Sequence, residues 1–80
     1  MFTLYALKSI SRNFIYVGMT ENLEDRIKRH NSGYNRSTKK FAPFKLIFSE
    51  NSQTGEKARS REKYLKSTSG KRFLRSILNE

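Results

Sequence analysis

The stretch FTLYALKSISRNFIYVG, residues 2–18, contains two short apolar runs with a polar segment between them. The runs, residues 2–7 and 14–18, are rich in aromatic and β-branched side chains, which favour β-strands. The polar segment, residues 8–13, is long enough to reverse the chain. The stretch therefore predicts an antiparallel β-hairpin at the start of the fold.

Each predicted strand carries one tyrosine. Pairing Tyr5 with Tyr16 makes the partner numbers sum to 21 and centres the turn between Ile10 and Ser11. Residues directly opposite each other share one face of a sheet, so both phenols project from the same face. Tyrosines in strands are usually packing residues, and that interpretation stays open beside a chemical one.

The hydrophobic pattern changes to a helical period after the hairpin. Leu23 and Ile27 recur at helical spacing, which predicts a first helix over residues 22–31. Acidic residues crowd its first turn, and Gly33 can end it. Two polar residues can cap its start: Thr20 and Asn22.

The rest of the chain predicts one more strand and two more helices. These segments are a polar and basic loop at residues 34–42, a third strand at 44–48, a second helix that opens within 52–55 and runs to about Lys66, a break at 67–70 and a short third helix at 73–78. The order ββαβαα predicts an α/β (α+β) fold in which helices flank a three-stranded antiparallel sheet.

The composition limits the classes of protein to consider. The chain has 80 residues, with 17 Lys or Arg against 7 Asp or Glu and a formal net charge of +10. This length fits one domain, which we expect to span residues 1–80. The absence of Cys excludes disulfides and cysteine zinc sites, and a single His cannot build a histidine metal cluster.

The positive charge predicts a polyanionic partner, because such a field raises the local concentration of nucleic acid and speeds salt-sensitive association. An anionic membrane surface is a weaker alternative, since the basic residues are spread over loops and short helices. No apolar run approaches the roughly 20 residues of a membrane span, and no membrane association is expected. Residues 1–5 carry no basic leader before an apolar stretch, so we expect a cytoplasmic protein.

Two polar residues of the first helix border its apolar face. At about 100° per residue, Arg26 and His30 lie beside the stripe formed by Leu23 and Ile27. In the ordinary interpretation, Arg26 lays its aliphatic stem over the sheet and His30 fills a boundary position. A role for both in one site is the alternative.

Glu62 falls inside the apolar stripe of the second helix. A buried carboxylate is costly unless it is paired or binds a cation. One alternative is a structural ion pair with Arg26, Arg59 or Arg61. The other is a metal or substrate site, which is favoured by the eight basic residues and single acid of residues 57–75.

Residues 3–5 (TLY) and 16–18 (YVG) resemble the paired triads that name the GIY-YIG nuclease family. The family has an Arg on the first helix, often a His one turn later, and a Glu on a later helix. Arg26, His30 and Glu62 match these positions in order. The resemblance covers the whole chain and points to small stand-alone bacterial members, related to the nuclease domain of the excision-repair endonuclease.

The match has departures. The first triad lacks its Gly, and Val17 replaces the Ile of the second. Met19 stands where some members place a Lys beside the chemistry, which argues against a lysine-assisted mechanism. Asn79 resembles a late family Asn only loosely.

The resemblance implies an endonuclease that hydrolyses phosphodiester bonds in DNA with one Mg²⁺ or Mn²⁺ held by Glu62. Tyr5 then activates the attacking water, provided that positive charge from Arg26 and the metal lowers its pKa. Arg26 meets the charge that develops on phosphate oxygens, while Tyr16 and His30 orient water, phosphate or Tyr5. We expect both phenols, Arg26 and Glu62 to line one cavity.

Three further residues are candidates for substrate binding. Gly18 ends its predicted strand, where a missing side chain would admit the phosphate backbone. Lys39 and Lys40 supply charge in the polar loop. The expected partner is DNA, with RNA as an open possibility, and a protein partner is expected to supply specificity. The alternative from another class is a basic nucleic-acid-binding module without catalysis.

Overall fold

The computed structural model describes residues 1–78, so the prediction for Asn79 lies outside the described residues. A short 3₁₀ turn at Lys39–Phe41 interrupts the loop after the first helix. The main elements are β1 (Phe2–Ser9), β2 (Ile15–Thr20), α1 (Leu23–Asn31), β3 (Phe44–Ser52), α2 (Gly55–Lys66) and α3 (Thr68–Leu78). The sheet is antiparallel in the order β2-β1-β3, which confirms the predicted α+β fold and the order ββαβαα.

The register of the β1–β2 hairpin differs from the predicted one. Tyr5 lies opposite Gly18 and Leu7 lies opposite Tyr16, so partner numbers sum to 23 instead of 21. The loop is wider than a tight turn, because the Ser9 amide donates to the Phe14 carbonyl at 2.9 Å and closes the hairpin there. A shift of two residues leaves every side chain on its face, so both tyrosines still share one face.

Both faces of the sheet are covered. On one face Leu4 and Ala6 of β1 pack with α2 and α3, and on the other Tyr5 and Leu7 pack against α1 and the loop after it. All four side chains are fully buried, because β1 is the central strand with helices on both sides. Residues that alternate along β1 therefore face two different helical layers.

The ends of α1 follow local rules. The Asn22 side chain accepts from the Asp25 amide at 3.1 Å, which caps the first turn. At the other end Gly33 has a φ of +78°, and the Tyr34 amide donates to the Arg29 carbonyl at 3.0 Å. This left-handed glycine ends the helix as the sequence predicted.

Two predicted element ends are wrong. β3 extends to Ser52, beyond the apolar run, because its polar half pairs with β1. The third helix begins at Thr68, so residues 67–70 do not form a break, and only Ser67 separates α2 from α3. Gly70 is buried inside α3, where a Cβ would lie 2.5 Å from the Leu65 Cα. The glycine permits close approach of the two helices instead of ending one.

Within residues 1–78, none of the helices has the length and apolar character that crossing a membrane requires.

Candidate active site

The two phenols meet above Gly18. The ring centroids of Tyr5 and Tyr16 are 6.1 Å apart, and a Cβ on Gly18 would lie 2.6 Å from the Tyr5 hydroxyl oxygen. Gly18 lies inside β2, so the prediction that it ends the strand is wrong. Its missing side chain makes room for the Tyr5 ring, and contact with phosphate stays a prediction.

Tyr5 is fully buried, and its hydroxyl lies 3.3 Å from Nε2 of His30. Burial, followed by the neighbouring Tyr16, raises the pKa of Tyr5 to about 12, although the positive charge of Arg26 acts in the opposite direction. The role expected for Tyr5 in activating water requires a pKa nearer neutrality. The charge of Arg26 does not by itself lower the pKa that far. Because Tyr5 exposes no surface, the four predicted residues do not line one open cavity.

His30 lies deeper than the boundary position that the helical wheel indicated. It is fully buried, and its Nδ1 lies 3.1 Å from the Thr38 hydroxyl oxygen. Burial and the nearby Arg26 charge lower the pKa of His30, so the ring is neutral at pH 7. A neutral imidazole has one N–H and one lone pair, so its two ring nitrogens take opposite roles.

Thr38 fixes those roles. Its hydroxyl donates to the Asn35 carbonyl at 3.5 Å and is therefore free to accept from Nδ1–H of His30. Nε2 is then the acceptor for the Tyr5 hydroxyl. No sequence pattern indicated this role, because Thr38 is one polar residue in a polar loop and yet only 2% exposed.

Arg26 lies beside this hydrogen-bonded pair. It is half-buried on α1. Its charge adds to burial in lowering the pKa of His30 and opposes the rise in the pKa of Tyr5. The guanidinium is a permanent charge with planar donors, which suits it to phosphate oxygens. Arg26 is therefore the candidate for contact with phosphate on α1.

Glu62 approaches from the other helical layer. Its side chain is 25% exposed and pairs with Lys66 at 3.5 Å, one turn along α2. The expected alternative partners, Arg26, Arg59 and Arg61, do not form this pair, and Arg61 instead binds Glu50 at 3.0 Å. Burial is the main cause of the raised pKa of Tyr5, and the negative charge of Glu62 adds the smallest contribution in the same direction.

The site offers one carboxylate, that of Glu62, which suits a metal ion that takes most of its ligands from water and substrate. Among residues 1–78, no three His, Cys, Asp or Glu side chains gather into a ready-made metal site. Mg²⁺ is commonly held by one or two carboxylates together with waters and substrate phosphates. A partly exposed carboxylate next to a strongly basic surface can serve as that one ligand.

Lys39 and Lys40 are exposed in the 3₁₀ turn that follows α1. The Lys40 ammonium lies 5.3 Å from the centroid of the Phe41 ring, which itself stacks on Phe14 at 3.9 Å. This turn lies on the same side of the sheet as the tyrosines, because Phe41 packs in their core. Substrate binding by the two lysines stays a prediction.

Sequence comparisons relate the chain to known proteins. Residues 1–75 match the family model described as the GIY-YIG catalytic domain. The chain is 37% identical to UPF0213 protein CPE1444 of Clostridium perfringens over 75 residues, which cover 92% of this chain and 80% of the relative. It is 36% identical to the UPF0213 protein in the ldhD 5' region of Pediococcus acidilactici over 69 residues, which cover 81% and 69%. No solved structure matches the chain.

The matched region contains both triads and the helical residues Arg26, His30 and Glu62, and His30 contacts the Tyr5 hydroxyl directly. The relatives are similar in length as well as in sequence, so the similarity is to small proteins built around this domain. The chain belongs to the GIY-YIG family of nuclease domains.

Proposed function

We propose that the protein is an endonuclease that hydrolyses phosphodiester bonds in DNA with the help of one divalent cation. One observation carries the proposal: the buried phenol of Tyr5 packs beside Tyr16 above Gly18 and lies 3.3 Å from Nε2 of the buried His30. Family membership supports a nucleic acid as the substrate. The net charge of +10 supports the same choice.

The burial of the two phenols supports a division of their roles. Tyr5 exposes no surface and has a pKa of about 12, so it is poorly suited to take a proton from water at neutral pH. Tyr16 is only half-buried and lies beside it. We therefore assign Tyr16 to contact with the water or the phosphate. Tyr5 is held by its hydrogen bond with His30, and we assign it to positioning the neighbouring Tyr16 ring.

Arg26 and Glu62 have complementary roles in the proposal. Arg26 donates to phosphate oxygens as negative charge develops on them, and Lys is not equivalent because it lacks the planar pair of donors. Glu62 holds the Mg²⁺ or Mn²⁺, which supplies charge neutralisation and Lewis acidity when bound. Lys39 and Lys40 contact the phosphate backbone of the DNA away from the scissile bond. A role in DNA repair remains what the resemblance implies.

The substitution Glu62→Gln tests the proposal, with Glu56→Gln as the matched control. Glu56 is an exposed acid on the same helix, so its loss changes the net charge equally. Nicking of supercoiled DNA is measured with Mg²⁺ or Mn²⁺, and duplex binding is measured in EDTA. We expect Glu62→Gln to abolish nicking while binding holds or improves, because one repulsive anion is lost. Glu56→Gln should nick like the parent.

The same experiment separates the alternatives. Retained nicking by folded Glu62→Gln protein would overturn the metal assignment. The pair with Lys66 is partly exposed, and ion pairs near the surface contribute about 0–1 kcal/mol. Loss of the fold is therefore not expected and would favour a structural role for Glu62. A parent protein that binds DNA but does not nick it with either metal would favour the non-catalytic binding module. An RNA hairpin assayed in parallel reports the preference between DNA and RNA.

A further inference from the structure

A second basic surface lies at the junction of α2 and α3. It is a cleft of about 390 Å³, and its wall carries four basic side chains and no acidic one. The residues that line it are Lys66, Thr68, Lys71, Arg72 and Arg75. We call this surface the α2–α3 cleft.

The basic residues of α3 form one stripe. The outer side of α3 carries Lys71, Arg72 and Arg75 at helical spacing, with Thr68 one turn before them. Leu74 faces the core. At a rise of 1.5 Å per residue, Lys71 and Arg75 are about 6 Å apart along the helix axis. One strand of duplex DNA carries a phosphate about every 3.4 Å of its axis, so the distance between Lys71 and Arg75 corresponds to about two phosphate steps along one strand.

Neutral partners hold two of these side chains without cancelling their charge. The Arg75 guanidinium donates to the Asn13 side-chain oxygen at 2.7 Å, and the Lys71 ammonium donates to the Ile15 carbonyl at 3.5 Å. Both contacts tie α3 to the β1–β2 hairpin. Ordering in advance reduces the entropy that binding costs, and the full positive charge stays available to an anion.

Lys66 connects the cleft to the candidate metal ligand, because its ammonium lies 3.5 Å from the Glu62 carboxylate. Lys66 lines the cleft and also pairs with Glu62, so the cleft adjoins the candidate metal ligand.

We propose that the α2–α3 cleft is a second backbone site, which binds the phosphates of duplex DNA on one side of the scissile bond. The proposal rests on the nuclease function proposed above. The stripe carries no group arranged to read base edges, so its contribution is affinity and orientation, independent of sequence.

The double substitution Arg72→Gln with Arg75→Gln tests the site. Lys45→Gln with Lys57→Gln is the matched control, because it removes two positive charges from exposed residues of β3 and of the other side of α2. Binding of a duplex of about 20 base pairs is measured in EDTA over a series of salt concentrations. Each phosphate contact contributes about 0.9 to the log-log slope, so the cleft variant should lose about 1.8 while the control keeps the parental slope.

An equal loss of slope in both double variants would overturn the proposal, because binding would then follow total charge. If the double variant unfolds, Arg72→Gln alone at an exposed side chain should still lower the slope by about 0.9. Unchanged DNA binding together with lost binding to phosphatidylglycerol vesicles would also overturn it and would assign the cleft to a membrane.

Nicking kinetics separate failure of the cleft from failure of the proposed function. The cleft variant should show a raised KM for supercoiled DNA with an unchanged kcat, because the removed contacts do not touch the scissile phosphate. If the parent does not nick DNA, the nuclease proposal fails, and the salt series in EDTA still decides whether the cleft binds the backbone. A fallen kcat with an unchanged KM would contradict the cleft proposal.

Discussion

A single imidazole organises the buried polar groups of the site. His30 uses both ring nitrogens, one towards Thr38 and one towards Tyr5, and it does so inside the core instead of at its edge. Within residues 1–78, each buried polar side-chain atom has a hydrogen-bond partner. Removing any one member of this hydrogen-bonded series therefore leaves a buried group unpaired, which costs more than the hydrogen bond itself contributed.

We expect Thr38→Val to destabilise the protein by about 1–3 kcal/mol, because Nδ1–H of the buried His30 loses its acceptor. Valine preserves the shape of the side chain, so the effect isolates the hydroxyl. Urea unfolding measures the change. Thr38→Ser keeps the hydroxyl and is the control that should recover most of the stability. Equal stability of the valine variant and the parent would contradict the hydrogen-bonded series.

The stability of the protein should fall as the pH falls below about 6.5. The pKa of His30 is lowered in the folded state, so the unfolded chain binds the proton more readily. His30 makes its full contribution to the free energy of unfolding above the pKa of about 6.5 that it has in the unfolded chain. This contribution is lost progressively as the pH falls to the lower pKa of the folded state.

The measurement is the melting temperature of the parent and of His30→Gln between pH 8 and pH 5. Gln cannot be protonated in this range, so the part of the pH dependence that His30 causes should disappear from the variant. The same slope in both proteins would show that other groups cause the acid destabilisation.

Between the strands and helices, glycines set how closely neighbouring elements approach. Gly18 in β2 faces the phenol of Tyr5 across the hairpin, and Gly70 in α3 faces the backbone of Leu65 in α2. Both glycines are buried. At these two sites the absence of a side chain serves packing between elements, whereas Gly33 serves the turn at the end of α1 through its positive φ.

Gly70→Ala should destabilise the protein by about 1–3 kcal/mol, because the added Cβ would lie 2.5 Å from the Leu65 Cα and force α2 and α3 apart. Helix propensity alone predicts the opposite sign, a gain of about 1 kcal/mol. The control is Ser69→Ala at the preceding exposed position, which should change stability by less than about 0.5 kcal/mol. A gain of stability for Gly70→Ala in thermal unfolding would refute the close packing.

Across the molecule as a whole, positive charge far exceeds negative charge. A net charge of +10 is carried by only 80 residues, and the acidic residues are partly engaged in ion pairs such as Asp25 with Arg29 and Glu50 with Arg61. Exposed pairs of this kind add little stability and are screened by salt. The excess positive charge is therefore available to a polyanion.

Duplex binding by the whole protein should weaken steeply between 50 mM and 200 mM salt, because each neutralised phosphate releases condensed counterions. Fluorescence anisotropy with a labelled duplex in EDTA measures the slope. Potassium glutamate in place of chloride is the control, since a slope that comes from cation release should persist. An affinity that does not change over this range would contradict binding through the phosphate backbone.

The order of the elements and the faces of the strands could be predicted from the amino-acid sequence. Periods of two and of 3.6 residues are local properties, and the Leu23 to Ile27 spacing and Gly33 specify α1 without reference to the rest of the chain. The shared face of Tyr5 and Tyr16 survives an error of two in the register, because side chains alternate with a period of two. The choice of Tyr5 and Tyr16 as candidates therefore does not depend on the exact register of the hairpin.

The depth at which each candidate lies, and the partner that it meets, depend on the tertiary fold. Burial depends on both layers that cover the sheet, so no pattern within β1 or α1 indicates that Tyr5 and His30 are fully enclosed. Thr38 reaches His30 because the loop after α1 folds back over the sheet, a contact with no periodic signal. Gly70 resembles a helix breaker in sequence, and its packing role depends on the distance between α2 and α3, which local propensity does not determine.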